Sequence, residues 1–448
     1  MTEARVVVVG GGLAGLSAAV ECADGGAAVT LLEARRWLGG ATASFVRDGL
    51  TIDTGQHVFL RCCTAYRGFL DRLGVAGRTS VQPRMEIPVL APGRRPARLR
   101  RGRLPAPLHL GPALARYPYL STADKLRAVR ASLALRRTDP ADPRLDRLTF
   151  GAWLQERGQS EASVRYLWDL FGLPSLNLPA SEASLALAAK VFRTGLLERN
   201  DAADIGVPLV PLSELHGSPA HRTLLDLGAQ VHLGARARRI GVGSEGANGV
   251  ALDDGEIPAD AVIVAVPWDR VDPLLPPGLQ GGFDRLGASP IVNVHVVYDR
   301  PVSSLPFAAA VDSPVQWAFD RTRPAGLERG QYLAISLSGA GDVVDDPIER
   351  FRDRFLPALA ELFPAAREAR VERFLVTRER TATFRQAPGT AALRPGPETA
   401  VPRLFLAGAW TDTGWPATME GAVRSGLAAA RAALRSLGRT RTPAEVAA

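Results

Sequence analysis

Cysteine, lysine and long apolar runs are scarce in this chain of 448 residues, and each scarcity excludes a class of protein. The three cysteines, Cys22, Cys62 and Cys63, are too few and odd in number for a disulfide framework, so we expect reduced thiols in a cytoplasmic protein. No apolar run reaches the length of a membrane-spanning helix, and the first one, residues 6–9, leads into glycines rather than a secretory cleavage site. The six histidines lack the partner spacing of zinc sites, and we predict no metal.

The positive charge of the chain is carried almost entirely by arginine. The net charge is +8 and the isoelectric point is about 10.0, yet Lys125 and Lys190 are the only lysines. A basic chain favours phosphate-bearing partners, either nucleic acid or anionic lipid. Because alanine and arginine are both abundant, a compositional bias of the genome explains the charge equally well, and we predict no nucleic-acid partner.

Strand and helix signals alternate at the start of the chain. Residues 5–9 and 28–32 are the short β-branched runs of buried parallel strands. Residues 13–23 between them predict an alanine-rich helix that stops before Gly25 and Gly26. This order is the βαβ unit of a parallel sheet.

The turn of this unit carries the pattern G-x-G-x-x-G through Gly10, Gly12 and Gly15. Gly10 permits the tight turn, Gly12 lets the backbone approach a pyrophosphate, and Gly15 lets the helix pack closely on the strand. Leu13 and Ala14 lie where the helix N-terminus offers free N–H groups and a positive dipole end to phosphates. The pattern therefore predicts a dinucleotide site.

Glu33 ends the second strand, where an acidic residue accepts hydrogen bonds from the ribose hydroxyls and repels a 2′-phosphate, which disfavours NADP. The run from Glu33 to a Gly-Gly pair at residues 39–40 resembles the flavin monooxygenase and amine oxidase superfamily. That resemblance implies FAD, with ribose and diphosphate contacts from Ala34, Arg35, Gly39, Gly40 and Ala41. Ala41 departs from the superfamily, in which arginine often follows the glycine pair.

Two further segments match the superfamily's cofactor site. Residues 53–57 resemble the segment beside the flavin ring, and the resemblance implies contacts from Gly55, Gln56 and His57. Residues 230–240 resemble the strand whose backbone holds the adenine, with Ala237 at the contact position.

The segment of residues 406–422 resembles the superfamily's C-terminal motif, with a strand, an Ala-Gly pair, an acidic residue and a helix. The resemblance implies that Gly408 allows close approach and that Asp412 binds the ribityl chain. A helix from Thr418 and Met419 would direct its N-terminus at the flavin pyrimidine ring, where the dipole stabilises the charge of reduced flavin.

The nucleotide-type segments are scattered over the start, middle and end of the chain, which predicts an α/β fold with an insertion. We expect a discontinuous Rossmann-like FAD-binding domain with a parallel sheet over residues 1–60, 218–270 and 395–440. An inserted α+β substrate domain would take residues 61–217 and 271–394, with an antiparallel sheet signalled by the alternation of residues 291–298. Residues 441–448 would form a tail.

Residues 53–58, 289–295, 312–317 and 410–421 resemble one subfamily, the hydroxysqualene dehydroxylases. The likeness covers most of the chain and is weakest over residues 85–145. It implies that hydroxysqualene loses its allylic hydroxyl as water and takes a hydride from reduced FAD to give squalene, with an unidentified electron donor reducing the flavin. A carotenoid-type desaturase, a flavin amine oxidase and a non-catalytic FAD-binding subunit of a membrane isoprenoid assembly remain as alternatives.

Four side chains are candidates for the chemistry. An allylic cation requires a dry pocket with aromatic faces, which Trp317 and Trp415 would supply. The leaving hydroxyl requires a proton donor, for which His57 and His295 are candidates by residue type.

An apolar isoprenoid substrate would reach the pocket from lipid, and one segment has the composition of an interfacial anchor. Six arginines lie within ten residues, and the apolar and aromatic stretch of residues 104–120 follows them. We therefore predict peripheral association with an anionic membrane surface on the inner face of the cell membrane. The arginines are Arg94, Arg95, Arg98, Arg100, Arg101 and Arg103.

Overall fold

The computed structural model describes residues 3–279 and 281–439, so the predicted tail at residues 441–448 lies outside the described residues. The strands are β1 Arg5–Val9, β2 Ala28–Glu33, β3 Ser44–Arg47, β4 Leu50–Asp53, β5 Phe59–Leu60, β6 Thr79–Val81, β7 Glu86–Leu90, β8 Ala97–Arg100, β9 Ile205–Pro208, β10 Gln230–Leu233, β11 Arg239–Gly243, β12 Gly246–Ala251, β13 Glu256–Pro258, β14 Ala261–Val264, β15 Ser289–Tyr298, β16 Phe307–Ala310, β17 Trp317–Asp320, β18 Gln331–Leu337, β19 Val371–Thr383 and β20 Leu404–Leu406.

The helices are α1 Leu13–Asp24, α2 Thr64–Arg72, α3 Gly111–Arg116, α4 Thr122–Arg137, α5 Phe150–Glu156, α6 Glu161–Ser163, α7 Asp169–Leu176, α8 Leu185–Phe192, α9 Leu212–Leu215, α10 Gly217–Asp226, α11 Trp268–Val271, α12 Ile348–Leu362 and α13 Met419–Ser436. Helix α8 continues as a π-helical turn over Arg193–Leu197. Within the described part of the chain, no helix combines the length and apolar character needed to cross a membrane.

A five-stranded parallel sheet has the order β10-β2-β1-β14-β20. Its central strands are runs of buried valine, isoleucine and alanine, because both faces of the sheet are covered. Helices α1 and α13 pack on one face, and strands β11 and β12 with α11 pack on the other. All five strands come from the three segments that the sequence assigns to cofactor binding. The predicted α/β class with a parallel dinucleotide-type sheet is confirmed by this arrangement.

A seven-stranded sheet has the order β19-β15-β18-β17-β16-β7-β8 and is antiparallel except between β16 and β7. The alternation over residues 291–298 marks β15, the second strand of this sheet. Val292, Val294 and Val296 on one face of β15 pack with α12. The opposite face meets β4 near β15 and, further along, the helical layer built from α3 to α8.

Helix α13 packs directly on α1 and so brings the two ends of the chain together. A Cβ on Gly426 of α13 would lie 2.1 Å from the carbonyl oxygen of Ala14, so only glycine permits this approach. Ser17 of α1 also donates a hydrogen bond to the carbonyl of Val423. The C-terminal motif therefore lies beside the glycine-rich turn.

The arginine cluster predicted to bind membranes is partly held within the fold. Arg101 donates hydrogen bonds of 2.6 and 3.0 Å to the fully buried carboxylate of Asp204, which also accepts from Arg61. Arg98 and Arg100 pair with Glu86 on the neighbouring strand. This corrects the expectation that six free arginines face a membrane. It also removes Tyr117, Tyr119 and Leu120 from the predicted anchor, because all three are buried.

Candidate active site

The three glycines of the G-x-G-x-x-G turn differ in whether and why their positions require glycine. Gly10 has φ +110°, and a Cβ there would lie 2.5 Å from the carbonyl oxygen of Ala265. A Cβ on Gly15 would lie 1.8 Å from the carbonyl oxygen of Gly10, so this residue sets the close contact of α1 with the turn. A Cβ on Gly12 would meet no protein atom within 4 Å, and its backbone angles are allowed to any residue. The protein itself therefore does not require glycine at position 12, which is where a ligand is expected to approach the backbone.

The carboxylate of Glu33 anchors the turn. Its two oxygens accept hydrogen bonds of 2.7 Å from the N–H groups of Gly11 and Arg35. Each carboxylate oxygen has a second lone pair for a further donor. Glu33 thus lies half-buried at the end of β2, and its contact with a ribose remains a prediction.

The second glycine pair packs against the first turn. Gly39 donates a hydrogen bond of 2.8 Å to the carbonyl of Gly11, and both Gly39 and Gly40 have positive φ. A Cβ on Gly40 would lie 3.0 Å from the Cα of Gly12. Ala41, where arginine often stands in the superfamily, is exposed beside this pair. The structure therefore brings residues 33–41 to the same turn as residues 10–15.

The N-terminus of α13 lies in the C-terminal motif. Thr418 caps the helix by accepting a hydrogen bond from the N–H of Gly421, and Met419 opens the first turn. Among the described residues, the N–H groups of Met419 and Glu420 have no protein acceptor. These free donors and the helix dipole form the electropositive end that the sequence assigned to the flavin ring.

Residues 55–57 follow β4 and carry a buried polar group without a protein partner. The Nε2 atom of Gln56 is buried and forms no hydrogen bond to any described residue. His57 is half-buried, and its Nδ1 lies 3.2 Å from the carbonyl oxygen of Gly55. Burial lowers the pKa of His57, so the ring is neutral at neutral pH.

These features fit FAD. The turn around Gly12 and Gly40 is a cradle that Cβ atoms would fill, two helix N-termini offer free N–H groups, and Gln56 offers an unpaired donor. Residues 10–15, 33–41, 55–57 and the start of α13 would hold the group, which supplies hydride chemistry when bound.

Comparisons with known proteins identify the family of this chain. The family model described as flavin containing amine oxidoreductase matches residues 13–434, and the chain belongs to that family. It is a flavin-dependent oxidoreductase, and its cofactor is FAD.

The curated relatives include hydroxysqualene dehydroxylases and a carotene desaturase. The chain is 32% identical to a hydroxysqualene dehydroxylase of Sinorhizobium fredii, with 96% of this chain and 98% of the relative covered. It is 30% identical to a hydroxysqualene dehydroxylase of Rhodopseudomonas palustris, with 95% and 97% covered. A zeta-carotene desaturase of Synechocystis is 25% identical, with 98% and 99% covered. Among solved structures, cyclohexylamine oxidase from Brevibacterium oxydans has a TM-score of 0.74 at 20% identity, covers 98% and 100% of the two chains, and shows the shared fold.

His295 lies in the interior of the protein, which corrects its nomination as a proton donor. Its Nδ1 lies 2.6 Å from the hydroxyl of Tyr332, and its Nε2 lies 3.0 Å from the hydroxyl of Thr377. Burial lowers its pKa to about 3. Both ring nitrogens are engaged and the ring is neutral, so His295 joins strands β15, β18 and β19 instead.

The two candidate tryptophans differ in their surroundings. Trp415 has the ammonium of Lys190 4.9 Å and the guanidinium of Arg424 5.0 Å from its ring centroid. A cationic reaction centre at that ring would be repelled by both. Trp317 instead stacks on Phe319, with centroids 6.1 Å apart and an interplanar angle of 14°, and lies 6.2 Å from Phe307. Trp317, Phe319 and Phe307 therefore form one group of contacting rings, called the aromatic wall below.

The structure shows the surroundings of three further residues that were predicted to contact the cofactor. Ala237 lies in the link between β10 and β11, because the segment predicted as one adenine-binding strand is two strands. Gly408 has φ +148°, and its N–H donates to Ser425. Asp412 is exposed, and its carboxylate accepts from the N–H of Gly414 two residues on. The ribityl role of Asp412 remains a prediction.

Two charged residues that sequence analysis missed hold the C-terminal motif in place. Arg394 is buried and donates hydrogen bonds to the carbonyls of Trp410, Thr411 and Trp415. The buried carboxylate of Glu420 accepts from the N–H of Tyr66 at 2.8 Å and so joins the start of α2 to the start of α13. The partners of both residues are distant in sequence or in irregular loops, so no local pattern signals these roles.

Proposed function

We propose that this protein reduces hydroxysqualene to squalene by replacing an allylic hydroxyl with hydride. The observation that carries the proposal is the near full-length similarity to two hydroxysqualene dehydroxylases. The aromatic wall supports it, because ionisation of an allylic alcohol leaves a cation that aromatic faces stabilise. Such an interaction is worth on the order of 2 kcal/mol in a dry site.

His57 remains the candidate proton donor to the departing hydroxyl. Its Nε2 has no partner among the described residues, whereas its Nδ1 is held by the carbonyl of Gly55. Because burial lowers its pKa, only a small fraction of His57 is protonated at neutral pH. If His57 donates the proton, kcat should rise as the pH falls below 7, and His57→Gln should abolish that rise.

The direct test is anaerobic incubation of dithionite-reduced protein with hydroxysqualene, followed by chromatography and mass spectrometry of the products. We expect squalene in amounts stoichiometric with reduced FAD. Oxidised protein under the same conditions should form none and serves as the control.

The other candidate functions need other substrates and oxidised FAD, so oxidised protein is also incubated with carotenes and with amines. The similarity to a zeta-carotene desaturase keeps the desaturase alternative, which would convert carotenes to longer conjugated polyenes with oxidised FAD. An amine oxidase would consume amines, and a non-catalytic FAD-binding subunit would turn over none of these substrates. Coloured polyenes or amine oxidation without squalene would reject the proposal.

We further propose that the protein takes its substrate from an anionic membrane surface through the outer face of α4. Leu126, Val129 and Leu133 are all exposed along this face, which is opposite the buried residues of the helix. Arg130 and Arg137 flank the stripe. An apolar stripe bordered by arginines is the composition of a helix that lies in a lipid interface.

A neighbouring loop extends this lipid-facing surface, with α3 packed between the loop and α4. Leu104 is 50% exposed and Leu108 is 61% exposed, and Arg103 beside them is also exposed. Each arginine near an anionic surface contributes about 1 kcal/mol of attraction. The apolar tips and the charges together are suited to reversible binding.

Vesicle flotation tests this surface. Wild-type protein should float with phosphatidylglycerol vesicles at low salt and be released at high salt. A variant with Leu126, Val129 and Leu133 changed to Ser should stay unbound, whereas changing the exposed Leu225 and Val242 to Ser elsewhere should have no effect. Equal flotation of both variants would place the binding surface elsewhere. Arg101 is left unchanged because it holds Asp204.

A further inference from the structure

A buried amide without a protein partner lies in the seven-stranded sheet. Asn293, in β15, is 0% exposed, and neither its Oδ1 nor its Nδ2 forms a hydrogen bond to any described residue. Native proteins leave few buried polar atoms unpaired, because the desolvated group has lost its water. Two such atoms on one side chain point to a partner outside the polypeptide.

The register of the sheet shows what surrounds this amide. Thr377 on β19 and Ser336 on β18 lie directly opposite Asn293, and Trp317 on β17 lies directly opposite Ser336. Directly paired residues share one face of a sheet, and neighbouring strands are about 4.8 Å apart. Asn293 is therefore roughly 10 Å from Trp317 along one row, on the face that carries the aromatic wall.

The neighbours of Asn293 leave it free for a ligand. The hydroxyl of Thr377 is already paired with His295. Ser336 is partly exposed, and its hydroxyl has no partner within the described ranges. Ser336 and Trp317 are thus partly exposed members of this row, and Asn293 is buried beside Ser336.

The same face also meets the cofactor-binding segments. Strand β4 packs over Val297 and Ala334, and residues 55–57 follow β4 directly. Glu379, two residues beyond Thr377 on β19, lies close enough to Arg35 for their charges to interact. Asn293 thus stands between the cofactor side and the aromatic wall.

We propose that the Asn293 carboxamide, with Ser336 beside it, binds the hydroxyl group of an allylic alcohol and sets its C–O bond against the aromatic wall. This inference rests on the proposed function and names the group that selects its substrate. A hydroxyl offers one donor and two acceptors, so it satisfies a carboxamide, whereas a hydrocarbon of the same length satisfies neither polar atom. Asn293 therefore discriminates alcohol from hydrocarbon.

The test is equilibrium binding of hydroxysqualene and of squalene to oxidised holoenzyme, followed through the flavin absorbance. Wild type should bind the alcohol about tenfold more tightly than the hydrocarbon. Asn293→Leu should remove that preference and leave squalene affinity, FAD content and reduction potential unchanged. Ser336→Ala should reduce the preference partly. The matched control Asn248→Leu changes an exposed asparagine on β12 and should retain it in full.

Stability separates a ligand role from a structural role. Replacing an unpaired buried amide by an apolar side chain of similar size is expected to leave Tm unchanged or raise it. A sharply lower Tm in Asn293→Leu, or an undiminished preference for the alcohol, would overturn the inference. A changed FAD content or reduction potential with the preference intact would also overturn it, because the amide would then face the flavin.

The inference and the proposed function fail in different ways. Alcohol preference that depends on Asn293, without squalene formation by reduced wild type, would reject the reaction and retain the binding site. Squalene formation by wild type with an unchanged preference in Asn293→Leu would retain the reaction and reject the role of Asn293.

Discussion

Substitutions at Gly12 and Gly15 should differ in their effect on the stability of the cofactor-free protein. A Cβ at Gly12 meets no protein atom and the backbone angles are ordinary, so Gly12→Ala should leave the cofactor-free protein as stable as wild type. Alanine reduces the conformational entropy of the unfolded chain relative to glycine, which should raise the free energy of unfolding by about 0.4–1 kcal/mol. A Cβ at Gly15 would lie 1.8 Å from the Gly10 carbonyl oxygen, and such overpacking costs about 1–3 kcal/mol or more.

FAD binding should weaken in Gly12 variants, even though the apoprotein stays stable. A larger side chain, as in Gly12→Val, would separate the diphosphate from the N–H groups of the turn. Losing one charge-assisted hydrogen bond of about 1.5–3 kcal/mol weakens FAD binding roughly tenfold to more than a hundredfold. Gly12→Ala should show a smaller loss.

Both effects are measured on protein from which FAD has been removed. Thermal unfolding by circular dichroism gives the stability of each apoprotein, and quenching of FAD fluorescence gives Kd. Full FAD affinity in Gly12→Val, or an apoprotein as destabilised as Gly15→Ala, would refute the assignment of this turn to the diphosphate.

Three further predictions follow from the site. Glu33→Gln should lower the FAD occupancy of purified protein, because the amide donates a hydrogen bond where the carboxylate accepts one. The ratio of absorbance at 450 and 280 nm measures the occupancy, and an unchanged ratio would contradict a ribose contact by Glu33. Trp317→Ala should reduce kcat about thirtyfold with FAD content unchanged, whereas Trp415→Ala should reduce it less, and equal effects in steady-state assays would contradict the choice of aromatic wall. His295 is neutral in the fold, whereas in the unfolded chain it is protonated below pH 6.5, so the free energy of unfolding should fall by about 1.4 kcal/mol per pH unit as the pH drops from 6.5 toward the folded pKa of about 3. In chemical denaturation between pH 6.5 and 4.5, His295→Gln should therefore lose stability less steeply than wild type. Identical slopes would mean that the ring has a different protonation state in the fold.

The local parts of the cofactor site were predictable from short stretches of sequence. Residues 5–33 form a strand, a helix and a strand within one residue of the predicted bounds, because buried β-branched runs and helix-ending glycines act over short distances. Gly10 and Gly15 have the backbone and packing roles predicted for them, since those roles depend on adjacent turns of chain. The C-terminal strand and helix are present as the resemblance of residues 406–422 implied.

Which buried polar side chains have hydrogen-bond partners follows only from the folded arrangement of distant strands. The seven-stranded sheet joins residues 86–100 to residues 289–383. Its register gives His295 hydrogen bonds to two hydroxyls, whereas the amide of Asn293, two residues away, forms no hydrogen bond to a described residue. Arg101 belongs to a basic run in the sequence, yet in the fold it neutralises Asp204. Residue type and spacing do not contain this information, because the hydrogen-bond partners of a buried group come from strands that are distant in sequence and adjacent only after folding.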